Sequence, residues 1–317
     1  MTTVLYIGGW GRSGSTLLDR MLGQLPGLAS LGEVRELWQR GVMENRPCGC
    51  GEPFHDCPFW TEVGTRAFGG WDALDREAVL QLRYSLDRPW SAPVLLAAGA
   101  RRGGGRLASY RTILGRLYAA IQATSGARVV VDSSKLPTHA LILRGVPGVD
   151  LRLLHLVRDS RGVVFSWQKR VLNRVTSGEP RYMEKYGPIS ASVRYDLYNG
   201  LTRMVGRMGV PYLRVRYEDL VHEPKRTLAL ILRHAGEPPG EERFGFVNNG
   251  SVSLAPNHTV DGNPMRFSVG PVQLRVDDQW KLAMRPSSRR WVTALTAPLL
   301  LDYGYPIGRG PAEEMER

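Results

Sequence analysis

The stretch from residue 4 to residue 20, VLYIGGWGRSGSTLLDR, constrains this chain more than any other part of it. Its apolar start, residues 4–7, reads as a buried strand, and a glycine-rich turn follows. Leu17, Leu18, Met21 and Leu22 then recur at helical spacing on the inner face of a helix that opens near Ser15. A strand, a tight loop and a helix N-terminus together make a phosphate cradle. Glycines let the backbone approach closely, while the unpaired N–H groups and the helix dipole attract anions. Gly9 and Gly14 have the glycine spacing of the nucleotide-triphosphate loop G-x-x-x-x-G-K-[ST], but Ser15 stands in the lysine position and Arg12 sits inside the loop. One bulky cation with the hydroxyls of Ser13, Ser15 and Thr16 suits a single terminal anionic group rather than a triphosphate with magnesium.

The rest of the chain alternates strand and helix patterns. Residues 128–131 form a β-branched run ending at Asp132, and residues 151–157 another apolar run before an amphipathic helix over 162–172. A further strand reads over 210–217, then a helix over 224–234 with proline at its start. This order predicts an α/β fold of P-loop-like, three-layer type, with a central parallel sheet and ligands bound beyond the C-terminal strand ends. A single domain is expected over residues 1–310. Residues 60–125 carry no clear strand and read as a helical insert or lid over the acceptor. A long loop system is expected after Gly236, and a polar tail over 311–317.

No apolar run approaches the ~20 residues of a membrane span, and the first residues lack the pattern of a signal peptide, so a cytoplasmic location is expected. The net charge is +12 with only five lysines, so arginine carries the positive charge. Arginine suits bidentate contacts to phosphate or sulfate. Most of these arginines read as solvated surface, and no zinc-finger or recognition-helix signature points to nucleic acid.

A second anion site is legible in LRLLHLVRDSRGVVFSWQKR, residues 151–170. Arg158 falls at the tip of the strand. Ser166 and Arg170, four residues apart, are expected on one helix face. Two guanidiniums and a hydroxyl converging on one point suit a dianion; helix capping by Asp159 and Ser160 with surface arginines is the plainer alternative.

Together, GRSGSTLL and VRDSRGVVFSWQKR resemble the sulfotransferase family that uses 3′-phosphoadenosine 5′-phosphosulfate (PAPS), in particular its tyrosylprotein branch and related bacterial enzymes. The resemblance spans roughly residues 4–235, with the helical insert excluded. It implies that Arg12, Ser13, Gly14, Ser15 and Thr16 bind the 5′-phosphosulfate, and that Arg158, Ser166 and Arg170 surround the 3′-phosphate. Tyr217, in VRYEDLVHEP, matches a family tyrosine near the nucleotide, and Lys135, in DSSKLP, a lysine that assists transfer. Glu33, in LGEVRELW, lies at the family's distance from the loop arginine to its catalytic glutamate. One departure is plain: where the family has a lysine before a tryptophan that closes over the cofactor, Gln279 precedes Trp280, and Arg266 is the candidate to replace that cation.

Sulfuryl transfer resembles phosphoryl transfer, so catalysis is mostly positioning and charge stabilisation. Arg12, helped by Lys135, would offset charge on the leaving phosphate. The transferred group carries less charge than a γ-phosphate, so no metal is expected. Glu33 is the first choice for the base that takes a hydroxyl proton from a small-molecule, lipid or glycan acceptor; Asp132, His139 and His258 are its rivals. A degenerate nucleotide kinase and a non-catalytic nucleotide or polyanion binder are the alternatives, and oligomeric state is not legible. Cys48, Cys50 and Cys57, with His55, form CGCGEPFHDC, which permits packed thiols, a disulfide or a metal; the C-x-C spacing is tight for structural zinc.

Overall fold

Strand β1 (Thr2–Gly8) lies at the centre of a five-stranded parallel sheet. Its neighbours are β3 (Val129–Lys135) and β4 (Val149–Val157); β2 (Leu28–Ser30) forms one edge and the strand Tyr212–Arg216 the other. The computed structural model describes residues 1–98, 105–170, 172–173, 181–182 and 184–307. The 311–317 tail and residues 101–104 of the RRGGGR loop therefore lie outside the described residues.

Side chains alternate across a strand, and here the alternation sorts two cores. Val4 and Tyr6 join Val130, Leu151 and Leu153 against one helical layer. Leu5 and Ile7 join Val129, Val131, Leu154 and Leu156 on the opposite face. That opposite face is covered by helix α1 (Ser15–Leu22) and, further along the chain, by α9 (Tyr217–His222) and α10 (Pro224–Ala235). A parallel sheet whose strands carry apolar side chains on both faces needs cover on both, and this one has it.

The first helical layer contains α2 (Pro58–Phe68), α3 (Arg76–Leu86), α4 (Ala92–Ala98), α5 (Gly105–Ser125) and α6 (Pro137–Leu143). Trp60, Val63, Tyr110, Leu114 and Ile121 are buried with β1 and β3 side chains in one cluster. The described residues of 60–125 hold helices α2 to α5, and their buried side chains join the core on this face of the sheet. A third cluster joins α7 (Ser160–Gln168), α8 (Pro188–Gly206), α11 (Trp280–Ala283) and α12 (Pro286–Asp302) around Trp10, Tyr195 and Trp280.

Two elements differ from the sequence reading. Helix α7 stops at Gln168, with Lys169 already extended, so Arg170 does not share its face with Ser166. The region after Gly236 is not only loop, since Val247–Asn248, Ser251–Leu254 and Gly270–Gln273 pair as a small antiparallel sheet. No helix among the described residues is long and apolar enough to cross a membrane.

Candidate active site

The C-terminal ends of β1 and β3 and the start of α1 open on a cleft of about 630 Å³. At its floor is the glycine-rich loop. Gly14, the residue before α1, has φ +89°, and a Cβ there would lie 2.4 Å from the Tyr217 ring. Only glycine satisfies both the left-handed backbone and the close ring. Arg12 is also left-handed, at φ +70°, and its guanidinium lies 5.0 Å from the centre of the Trp167 ring, whose Nε1 donates to the Gly11 carbonyl at 3.2 Å. Burial pulls the Arg12 pKa down, and the Glu33 carboxylate opposes that shift. Ser15 and Thr16 line the same cleft. Ser13 is not among the residues lining the cleft, and its hydroxyl is buried with no hydrogen-bond partner among the described residues.

Backbone pairing places Glu33. Beyond β2 the chain keeps step with β3: Leu31 N–H donates to the Val131 carbonyl at 3.2 Å, and Ser133 N–H donates to the Gly32 carbonyl at 2.8 Å. Glu33 therefore arrives beside the end of β3, where Lys135 sits at φ +68°. Lys135 Nζ lies 2.5 Å from Glu33 Oε1 and also donates to the Ser133 carbonyl at 3.0 Å. Desolvation raises the Glu33 pKa, Lys135 draws it back down, and the nearby Asp261 carboxylate raises it further.

At the other end, Arg158 is almost fully buried and lines the cleft with Ser166. It donates to the Arg12 carbonyl at 3.0 Å and the Asp277 carbonyl at 2.6 Å, and it lies over the Tyr217 ring at 4.8 Å. Arg158 thus ties the end of β4 to the glycine-rich loop. Arg12, Gly14, Ser15, Thr16, Glu33, Lys135, Arg158, Ser166 and Tyr217 all face one cleft.

Arg266 and Arg170 are not among the residues lining that cleft. The Arg266 guanidinium is buried, donating to the carbonyls of Thr259 at 2.5 Å and Pro47 at 2.6 Å. The ammonium beside Gln279 is instead Lys169, which donates to Gln279 Oε1 at 2.8 Å and to Asp277 Oδ2 at 3.3 Å. Arg170 is exposed and covers the Tyr182 ring at 3.7 Å. The rival bases lie elsewhere too. His139 is enclosed between Asp87 and Asp132, with Nδ1 2.8 Å from Asp87 Oδ2 and Nε2 3.7 Å from Asp132 Oδ2. Asp132 is fully buried and accepts from the Tyr118 hydroxyl at 2.5 Å. His258 Nδ1 points at the sulfurs of Cys48 and Cys57.

A family model described as the sulfotransferase family matches residues 5–241. This chain belongs to the sulfotransferase family. No curated protein matches the sequence. Among solved structures, the sulfotransferase resembles the sulfotransferase domain from the curacin biosynthetic pathway at 20% identity and TM-score 0.52, covering 97% of this chain and 99% of that one. A sulfotransferase domain of the Synechococcus PCC 7002 olefin synthase is 20% identical with TM-score 0.49, over 96% and 94% of the two chains. The sulfotransferase STF9 from Mycobacterium avium is 13% identical with TM-score 0.47, over 97% and 79%. The P-loop-like α/β fold of this sulfotransferase is thereby shared with a solved member.

Sequence reasoning missed Arg40, Arg46 and Asp261, which line the sulfotransferase's cleft near Glu33. Arg40 lies in a π-helical turn, Leu37–Met43, and Arg46 just beyond it, where the sequence shows neither the α-helical nor the strand period that would tell an arginine's direction. Asp261 reaches the site from far along the chain, through its carbonyl, which accepts the Glu33 N–H at 3.3 Å.

Proposed function

We propose that the protein transfers the sulfuryl group of PAPS to a hydroxyl of a small-molecule, lipid or glycan acceptor. The observation that carries this reading is the meeting, in one cleft, of a lysine-free phosphate loop containing Arg12 and a carboxylate, Glu33, paired with Lys135. The orphaned Ser13 hydroxyl and the N–H groups at the start of α1 fit a 5′-phosphosulfate, and Arg158 with Ser166 fits the 3′-phosphate.

The chemistry balances without further reactants. The acceptor oxygen forms a bond to sulfur as the sulfur–oxygen bond to the phosphate breaks. Glu33 Oε1 takes the hydroxyl proton, and the leaving electron pair stays on the phosphate oxygen of adenosine 3′,5′-bisphosphate. Arg12 and Lys135 stabilise that oxygen by charge, the role fixed dipoles and cations serve in a dry site. The Lys135 ammonium opposes the desolvation that raises the Glu33 pKa, and so favours the ionised form that a base needs.

Adenosine 3′,5′-bisphosphate at about 100 times its dissociation constant should stabilise the fold by ~2.7 kcal/mol. This is read as a rise in melting temperature that ATP at the same concentration does not match. Equal shifts with the two nucleotides would favour the kinase alternative. Arg158→Ala should weaken the bisphosphate about 10- to 100-fold, more than it weakens an analogue lacking the 3′-phosphate. Equal losses for the two ligands would move the 3′-phosphate elsewhere.

A further inference from the structure

Outside the cleft, four metal-ligating groups from distant parts of the chain meet at one point. Cys48, Cys50 and Cys57 come from the loop before α2, and His258 from the connection between the Ser251–Leu254 and Gly270–Gln273 strands of the small antiparallel sheet; their ligand atoms all lie within 4.8 Å of one another. Four of the six separations are close to the edges of a tetrahedron. Cys48 Sγ and Cys57 Sγ are 3.6 Å apart, and Cys50 Sγ and Cys57 Sγ 3.7 Å. His258 Nδ1 is 3.3 Å from Cys57 Sγ and 3.7 Å from Cys48 Sγ. Zinc–sulfur bonds of ~2.3 Å and a zinc–nitrogen bond of ~2.0 Å give tetrahedral edges of about 3.8 Å between sulfurs and about 3.6 Å between sulfur and nitrogen. A disulfide requires its sulfurs at ~2.05 Å and would leave one of three cysteines unpaired.

We propose that Cys48, Cys50, Cys57 and His258 hold a structural zinc ion. Three thiols release their protons to solvent and bind as thiolates, and neutral His258 binds through Nδ1. All four positions are filled by protein, which marks a structural rather than a catalytic zinc and leaves the expected metal-free transfer chemistry untouched. Sulfur-rich tetrahedral ligation selects zinc over the hard divalent cations.

The surroundings fix the ligands in place. The His258 ring stacks on Phe59 at 4.9 Å and 11°, and Trp60 Nε1 donates to the His258 carbonyl at 2.9 Å. Cys48 N–H donates to the Glu52 carbonyl at 2.7 Å, and Gly49 N–H to the Thr259 carbonyl at 2.9 Å. Three thiolates and one zinc leave a single negative charge. The buried Arg266 guanidinium, bonded to the carbonyls of Pro47 and Thr259 beside two of the ligands, answers it. His55, the histidine inside the cysteine motif, is turned away, with Nε2 3.1 Å from the Val42 carbonyl. The ion would clip the 48–57 loop to the 258–261 segment, which reaches Glu33 through the Asp261 carbonyl and Leu31 through the Val260 N–H.

The test is metal content of the full chain, purified in reductant without chelator, dialysed against Zn²⁺ and then freed of excess. About one zinc per chain is expected, retained in His55→Ala and lost in Cys50→Ser and His258→Ala. Cobalt exchanged into the same protein should give the thiolate charge-transfer and intense ligand-field bands of a tetrahedral sulfur site. A chelator strong enough to strip the ion should lower the melting temperature of the parent chain and leave that of Cys50→Ser unchanged. Cys50 is only half-buried, so its serine variant keeps the test alive if His258→Ala fails to fold. A folded parent chain without zinc after this loading, a disulfide among the three cysteines under the same reductant, or undiminished zinc in Cys50→Ser would each overturn the proposal.

Discussion

Glu33→Gln is expected to lower turnover about 100- to 10,000-fold while leaving affinity for adenosine 3′,5′-bisphosphate near that of the parent chain. The amide keeps the shape and can still accept a hydrogen bond from Lys135 Nζ, now 2.5 Å from the carboxylate, but it cannot take a proton. The pH profile separates this role from a structural one. A base must be ionised to act, so activity is lost as pH falls through its pKa. Burial raises the Glu33 pKa above the ordinary glutamate value, against the pull of Lys135, so the acidic limb of kcat should lie above the usual carboxylate range. Glu33→Gln should abolish that limb together with the rate. Turnover retained in this variant would assign the base to another group. Because Asp132 and His139 are enclosed in the core, the search would then turn to Asp261 on the cleft wall.

Arg12→Ala carries the second large effect. With Arg12 as the proposed charged donor to the leaving oxygen, its removal should cost about 100- to 1,000-fold in kcat. The bisphosphate product, which retains the charge that Arg12 faces, should also bind more weakly. Arg12→Lys should restore little of the rate. The guanidinium plane packs on Trp167 at 5.0 Å, and an ammonium offers neither that plane nor the fork of donors. A lysine variant with near-parental kcat would show that a point charge suffices and that the stacking is incidental. Circular dichroism of each variant, unchanged from the parent, excludes collapse of the loop as the cause.

The parallel sheet was legible because each of its long strands is an apolar run bounded by glycine, proline or charge, and the helices between them keep a clean apolar stripe. Strand β2 is three residues long and too short to show any period. Yet it is the element that delivers Glu33, whose place was readable only by resemblance. The helical region 60–125 showed its helices but not their destination, since an apolar face says that it is buried and not against what. The cysteine motif displayed three cysteines that meet in space and a histidine that does not join them. His55 is the neighbour in sequence, and His258 is the neighbour in space, some two hundred residues on. Arg266 stood as the candidate for the family's missing lysine, and the carbonyl oxygens that occupy its donors leave no trace in side-chain chemistry.

Arg12 and Lys135 both adopt the left-handed backbone that side chains with a Cβ disfavour by roughly 1–2 kcal/mol per residue. Two of the cleft's cations are therefore held where glycine would rest more easily. Endurance and catalysis pull in opposite directions at Arg12, where glycine should yield a hardier but idle protein, whereas glycine at position 135 would also leave the Glu33 carboxylate without its partner. Heat-resistance screens that ignore turnover would drift toward such chains, so engineering for robustness is better directed at the helical layers than at the mouth of the sheet.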